Sequence, residues 1–341
     1  MKKLYKMVFM TSLITGTLIS VSSYTWLGAW MGLEINLLSF IPMMSEVNNP
    51  MSTEASIKYF LTQAMASTMF LFSTSLMLIN TNMISEVYNN QMSVMMNTSL
   101  LIKLGAAPFH SWFPQVMEGL SWMNCLILMT IQKVAPMILI MYSMKNPLLT
   151  ATIIISAMVV GGLGGINQTK IKKILSFSSI NHIGWMISAS LISQATWIIY
   201  FSIYTMTTMV ITTLMTPTNM TNIKQLTTLT KNNFMTNLMI MINFLSLGGL
   251  PPFLGFLPKW IIIQQMIQAK LTFIATTMVI TTLMTLFFYL RMCFTMMIMT
   301  WNQMNWTNSM NIKNNWSKTT IIISAISITG LIASTYLLNF Y

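Results

Sequence analysis

Apolar runs long enough to cross a bilayer, about 20 residues each, recur along almost the whole chain. They fall near residues 4–23, 25–44, 56–79, 92–117, 121–144, 148–167, 171–192, 195–216, 234–268, 271–299 and 319–340. Short connections rich in Asn, Lys, Thr and Pro separate them, such as Glu46-Val47-Asn48-Asn49-Pro50 and the stretch from Lys224 to Asn233. None of these is long enough for a separate soluble domain. The pattern predicts an all-α polytopic membrane protein with about 11 transmembrane helices. The basic start from Met1 to Lys6 imitates a signal peptide, but so many spans follow that it reads as an uncleaved first helix.

Alternating crossings place Lys2, Lys3, Lys6, Lys170, Lys172, Lys173, Lys224, Lys231, Lys313 and Lys318 on one side of the membrane. Lys145 and Lys270 fall on the other. The positive-inside rule then puts the N-terminus on the negative side. The net charge of +12 is thus an orientation signal. No basic stripe interleaved with aromatics accompanies it, so nucleic acid is excluded as a partner.

Charged residues make up only 6% of the chain, against about 25% in soluble domains. The 38 methionines are spread over every segment. They look like AT-rich organellar coding bias rather than an interaction surface, although Met is also a pliable core filler. Cys125 and Cys293 lie in separate apolar segments and cannot supply the four or so soft ligands of a zinc or iron–sulfur site. Gly161-Gly162-Leu163-Gly164-Gly165 resembles a phosphate loop, but it ends an apolar helix, where small residues permit close helix packing. No metal and no redox cofactor is expected on the chain.

Two spans are broken by Gly and Pro. One reads Lys103-Leu104-Gly105-Ala106-Ala107-Pro108-Phe109-His110-Ser111-Trp112-Phe113-Pro114, the other Leu247-Gly248-Gly249-Leu250-Pro251-Pro252-Phe253-Leu254-Gly255-Phe256-Leu257-Pro258-Lys259. Proline removes a backbone donor and clashes with the preceding turn. Irregular backbone at membrane depth survives only where it is buried in protein or lines a cavity. These are the fourth and ninth spans, and an odd offset means that the second copy runs in the opposite direction. Paired interrupted helices in inverted halves point to an ion path. Residues 1–145 and 146–300 are the expected halves, with 301–341 as a C-terminal loop and helix. A kink used only for packing is the plainer alternative.

Glu34, Lys103, Lys133 and Lys259 stand inside these spans, where a charge costs roughly 2.5–3.5 kcal/mol on insertion scales. A buried lysine loses the solvation of its charged form and can load and release a proton near neutrality. Glu34 is the candidate counter-charge for Lys103; Lys133 would be the next station and Lys259 the exit-side one. His110, in the first break, and His182, in mid-span, are possible relays. A structural salt bridge is the competing reading for the charges, and a helix-to-helix hydrogen bond for each histidine. Glu54 and Lys58 have the spacing of an interfacial pair, and Glu118 and Arg291 lie near enough to span ends to snorkel to the surface.

Several segments together resemble the mitochondrial NADH dehydrogenase subunit 2 family, membrane-arm subunits of respiratory complex I. They are Trp26 through Asn36, Ser52 through Gln63, the break from Lys103 to His110, Gln132-Lys133, Gly165 through Thr169, Ser178 through Trp185, and the second break ending Pro258-Lys259-Trp260. The Met-rich composition resembles insect versions. The resemblance implies an antiporter-like fold of two inverted five-helix units in the mitochondrial inner membrane, with the N-terminus on the matrix side. It implies that Glu34, Lys103, Lys133 and Lys259 match proton-pathway positions. It also implies proton translocation coupled to NADH oxidation, with NADH, FMN, iron–sulfur clusters and ubiquinone held by partner subunits, and with membrane lipids as neighbours. Thr205 to Asn233 carries no recognisable motif. A free-standing cation/proton antiporter and a scaffold subunit that moves no protons are the alternatives.

Overall fold

A computed structural model of the chain describes residues 2–46, 49–79, 86–144, 146–217, 220–223, 225 and 234–298. The eleventh expected span, 319–340, and the loop lysines 145, 224, 231, 313 and 318 lie outside the described residues. Most of the described residues are helical, and helices occupy every expected span within them. Six helical spans are long and apolar enough to cross a membrane by length and hydropathy alone.

The backbone clusters into two compact units that part within one helix, at Ala157 and Met158. The first unit contains α1 (Lys2–Ser22), α2 (Trp26–Met44), α3 (Pro50–Ile79), α4 (Glu86–Leu104), α5 (Trp112–Gly119), α6 (Trp122–Met129), α7 (Ile131–Ser143) and the start of α8 (Pro147–Ile166). Helices α1 and α2 form a close pair. Gly32 makes this possible, because a Cβ there would lie 2.5 Å from the Ser20 amide nitrogen. Helix α3 packs on α2, α4 and α5, while α7 packs on α4 and α1. Interhelical amides lock the contacts: Asn124 Nδ2 on α6 donates to the Met43 carbonyl of α2 at 2.9 Å, and the Ser143 hydroxyl of α7 donates to Asn97 of α4.

The second unit contains the rest of α8, α9 (Ile171–Ile192), α10 (Gln194–Met215), α11 (Phe234–Gly248), α12 (Phe256–Gln268) and α13 (Thr272–Ile298). Helix α10 packs on α9, α11 and α12; α9 also packs on α12 and α13, and α11 on α13. Most of α9 is buried, including Ser176, Ser178, Ser179, Asn181, His182 and Ser188. It lies inside protein, which explains why so polar a helix fits here. The glycine run at the end of α8 packs as expected: a Cβ at Gly161 would strike the Asn181 backbone of α9, and one at Gly165 the Phe288 ring of α13.

Two features depart from the sequence reading. The span 121–144 is not one helix but α6 and α7, divided at Thr130. Pro136 cannot donate to the Gln132 carbonyl, and the Thr130 hydroxyl turns back onto the Leu126 carbonyl at 2.7 Å. Arg291 does not snorkel. Its guanidinium donates to the carbonyls of Ile166 at 2.6 Å and Gln168 at 2.7 Å, closing the C-terminal end of α8, where a cation also meets the negative end of the helix dipole.

Candidate functional site

Both expected breaks are present, and they are built alike. Helix α4 ends at Leu104 and α5 begins at Trp112; α11 ends at Gly248 and α12 begins at Phe256. The residue after each first half-helix is a left-handed glycine, Gly105 with φ 69° and Gly249 with φ 80°. Each break closes with the same pair of bonds. Gly105 N donates to Ile102 O and Ala106 N to Leu101 O; Gly249 N donates to Ser246 O and Leu250 N to Leu245 O. This is the Schellman termination, which needs a residue tolerant of positive φ. Aligning the two sequences on Gly105 and Gly249 pairs Pro108-Phe109 with Pro252-Phe253, Pro114 with Pro258, and Gln115 with Lys259. The lysines are therefore not at equivalent sequence positions.

They reach equivalent ends of their broken helices nonetheless. Lys103 is in the last turn of α4. Lys259, in the first turn of α12, reaches back across its break to donate to the carbonyls of Leu247 at 3.3 Å and Gly248 at 2.8 Å. Leu247 occupies the register position of Lys103. Each lysine thus sits at the carbonyl end of an interrupted helix, a placement worth roughly 0.3–2 kcal/mol to a cation. Both are buried, with 7% and 6% of their surface exposed.

The two amines are held differently. Lys259 is pinned by carbonyls, whereas Lys103 Nζ is buried with no hydrogen-bond partner. Glu34 is half-buried on α2, in the same unit as Lys103, and no direct ion pair joins the two. Lys133, 1% exposed, lies in the first turn of α7 with its amine 5.5 Å from the centre of the Phe113 ring of α5, within cation–π range.

A line of polar side chains joins α3, α7 and α2. Tyr59 of α3 donates its hydroxyl proton to Gln132 Oε1 at 3.2 Å, and Gln132 Nε2 donates to Asn36 Oδ1 at 2.8 Å. Asn36 lies two residues from Glu34, and Gln132 is next to Lys133. Gln63, one turn beyond Tyr59, donates to the Lys103 carbonyl at 3.4 Å. Tyr59 and Trp112 rings pack at 5.8 Å, and the Trp112 indole donates across the first break to the Ile102 carbonyl at 3.1 Å.

The histidines part company. His110 is half-exposed in the first break, where Nδ1 meets the Pro108 carbonyl of its own loop at 3.2 Å. His182 is buried, with Nδ1 2.7 Å from the Tyr200 hydroxyl and its ring 4.9 Å from that of Tyr204. Glu54 and Lys58 form the expected exposed ion pair at 2.6 Å.

The family model described as "NADH:quinone oxidoreductase/Mrp antiporter, TM" matches residues 23–285. NADH-ubiquinone oxidoreductase chain 2 of Anopheles gambiae is 46% identical over 97% of this chain and 97% of its own. That of Locusta migratoria is 44% identical over 96% of each. The chain belongs to the NADH-ubiquinone oxidoreductase chain 2 family. A chain of respiratory complex I from Thermus thermophilus with bound aureothin superposes with a TM-score of 0.83 at 21% identity, covering 96% of this chain and 78% of that one. One from the Mrp complex of Dietzia sp. superposes at 0.80 with 14% identity, covering 97% and 75%. The family's antiporter-like fold is thereby shown.

Within this chain 2 fold, Tyr59, Gln63, Gln132, Asn36, Tyr200 and Tyr204 were not assigned roles from the sequence. Asn36, Tyr59 and Gln63 lie in segments that carry the family resemblance and Gln132 adjoins Lys133, whereas Tyr200 and Tyr204 gave no signal.

Proposed function

We propose that this chain is a proton-translocating, antiporter-like subunit of NADH:ubiquinone oxidoreductase in the mitochondrial inner membrane. It moves protons when NADH-to-ubiquinone electron transfer in partner subunits drives it, and it carries no redox cofactor of its own. One observation carries this reading: three lysines, Lys103, Lys133 and Lys259, are each less than a tenth exposed, Lys133 within a span long and apolar enough to cross a membrane and the other two at the interrupted helices. Such charges are costly to keep as mere ties, because desolvation makes buried pairs poor stabilisers.

In this mechanism Glu34 sets the state of Lys103. With the carboxylate close, the ammonium is favoured; as it withdraws, the ammonium, whose nitrogen has no hydrogen-bond partner, gives up a proton and becomes the amine. Lys133 receives it beside the Asn36–Gln132–Tyr59 line, and Lys259 is the later station in the second half. The two inverted halves, 1–145 and 146–300, each supply one interrupted helix. The N-terminus faces the matrix, supported by the side carrying most of the lysines.

Native electrophoresis of mildly solubilised membranes tests the assignment, probing for this chain beside in-gel NADH oxidation. Co-migration with a very large NADH-oxidising band is the expected result. A small species that exchanges cations for protons in liposomes without an electron donor would instead establish the free-standing antiporter. An N-terminal epitope should stay shielded from antibody in intact mitoplasts; accessibility there would reverse the orientation.

A further inference from the structure

The first break ends on a buried aromatic side chain to which the lysine pathway gives no part. Phe113, the second residue of α5, is 1% exposed. The Lys133 amine of α7 lies over its ring, 5.5 Å from the centre, and Lys133 is itself 1% exposed. Two contacts tie the same ring to the turn that ends α4. Gly105, in its left-handed conformation, packs against it so closely that a Cβ there would lie 3.1 Å from Phe113 Cβ and 3.3 Å from Cγ and Cδ2. The Trp112 ring meets it nearly at right angles, with centres 5.6 Å apart, while the Trp112 indole donates to the carbonyl of Ile102, the residue before Lys103. One side chain therefore touches both the turn that follows Lys103 and the amine of Lys133, all within the first unit.

We infer that Phe113 is a positioning residue that seats the Lys133 ammonium against the turn of the first break. The inference rests on the proton-translocating reading above. The face of an aromatic ring attracts a cation through its quadrupole, most strongly where water is excluded. It offers a neutral amine no comparable attraction. When Lys133 takes up a proton and becomes the ammonium, the ring holds it; when it passes that proton on and becomes the amine, the hold is released. Because the ring is braced by Gly105 and Trp112, the seat follows the turn, and loaded Lys133 is presented at a place set by the helix end where Lys103 stands. An aliphatic side chain would fill the same space without distinguishing the two states of the lysine.

The test is made in the assembled complex, reading NADH-driven proton uptake at matched content of the NADH-oxidising band. Phe113→Tyr keeps the ring face and should pump close to native. Phe113→Met keeps an apolar side chain but no ring, and should be roughly 2- to 30-fold slower, the range that a cation–π contact spans from exposed to desolvated sites. Combined with Lys133→Met, it should cause no loss beyond that of Lys133→Met alone, because the ring acts only through the lysine. A ring that merely packs would give losses that multiply, or equal pumping in Phe113→Tyr and Phe113→Met; either outcome, or native pumping in Phe113→Met, overturns the inference. If Phe113→Met does not assemble, Phe113→Leu takes its place in the same cycle. Failure of both to assemble, with Phe113→Tyr intact, would make the ring a packing element and overturn the inference as well. Lys133→Met is also read by itself: if it leaves proton uptake native, the broader proton-carrying reading has failed and not this inference alone.

Discussion

Gly249→Ala isolates what the second break does for Lys259. The backbone there has φ 80°, a left-handed conformation that costs a residue with a Cβ about 1–2 kcal/mol. The added methyl carbon would also lie 2.8 Å from Lys259 Nζ, 2.9 Å from its Cδ and 3.1 Å from its Cε. The lysine is the flexible partner in that collision, so it gives way and loses the carbonyls of Leu247 and Gly248. Hydrogen bonds to a charged group contribute about 1.5–3 kcal/mol, so the amine should occupy its native position roughly 10- to 150-fold less. Gly248→Ala is the control: its φ is outside the left-handed region, its methyl carbon would come no nearer than 3.5 Å to Tyr289 Cδ2, and its carbonyl remains. Inverted vesicles containing each assembled variant are energised with NADH and acidification is followed with a pH dye. Gly249→Ala should pump on the order of tenfold more slowly, with Gly248→Ala close to native. An assembled Gly249→Ala complex that pumps like Gly248→Ala would refute the claim that the lysine's seat at the carbonyl end matters.

Breaking the polar line should have a graded effect on NADH-driven pumping. Gln132→Leu removes the bonds to both Asn36 and Tyr59 and should slow it more than Tyr59→Phe, which removes one; equal pumping in both would take the line out of the pathway. Gly161→Leu, whose side chain has no room against the Asn181 backbone, should abolish accumulation of the complex, read as loss of the large NADH-oxidising band on native gels. Arg291→Met leaves the carbonyls at the end of α8 without their donor, at roughly 1.5–3 kcal/mol per charged bond, and should lower the temperature at which the solubilised complex dissociates. An unshifted transition would mean that water replaces the guanidinium without loss.

How much of this was legible in the residues follows from what kind of information each feature needs. Spans are legible because bilayer thickness fixes their length, and both breaks because Gly and Pro constrain the backbone locally. The likeness of the two breaks could also be seen, since Gly105 and Gly249 perform the same turn. That Lys259 reaches the end of α11 matching Lys103 could not, because the reach crosses a loop whose path is a tertiary result. The division at Thr130 escaped because Pro136 signals a disturbance without saying where along the span the helix reopens. Arg291 read as a snorkelling end residue because its partners, Ile166 and Gln168, are far away in sequence. The tyrosines around His182 look like ordinary apolar helix filler until α9 and α10 are packed together.

The central claim is that the buried lysines carry protons in step with electron transfer. Its most direct test is the number of protons taken up per NADH oxidised by vesicles bearing assembled complex with Lys103→Met, beside Glu34→Gln and the native chain. The account predicts a lower ratio in both variants while the complex remains intact. An unchanged ratio in an intact Lys103→Met complex would contradict it and leave the chain a scaffold between its neighbours.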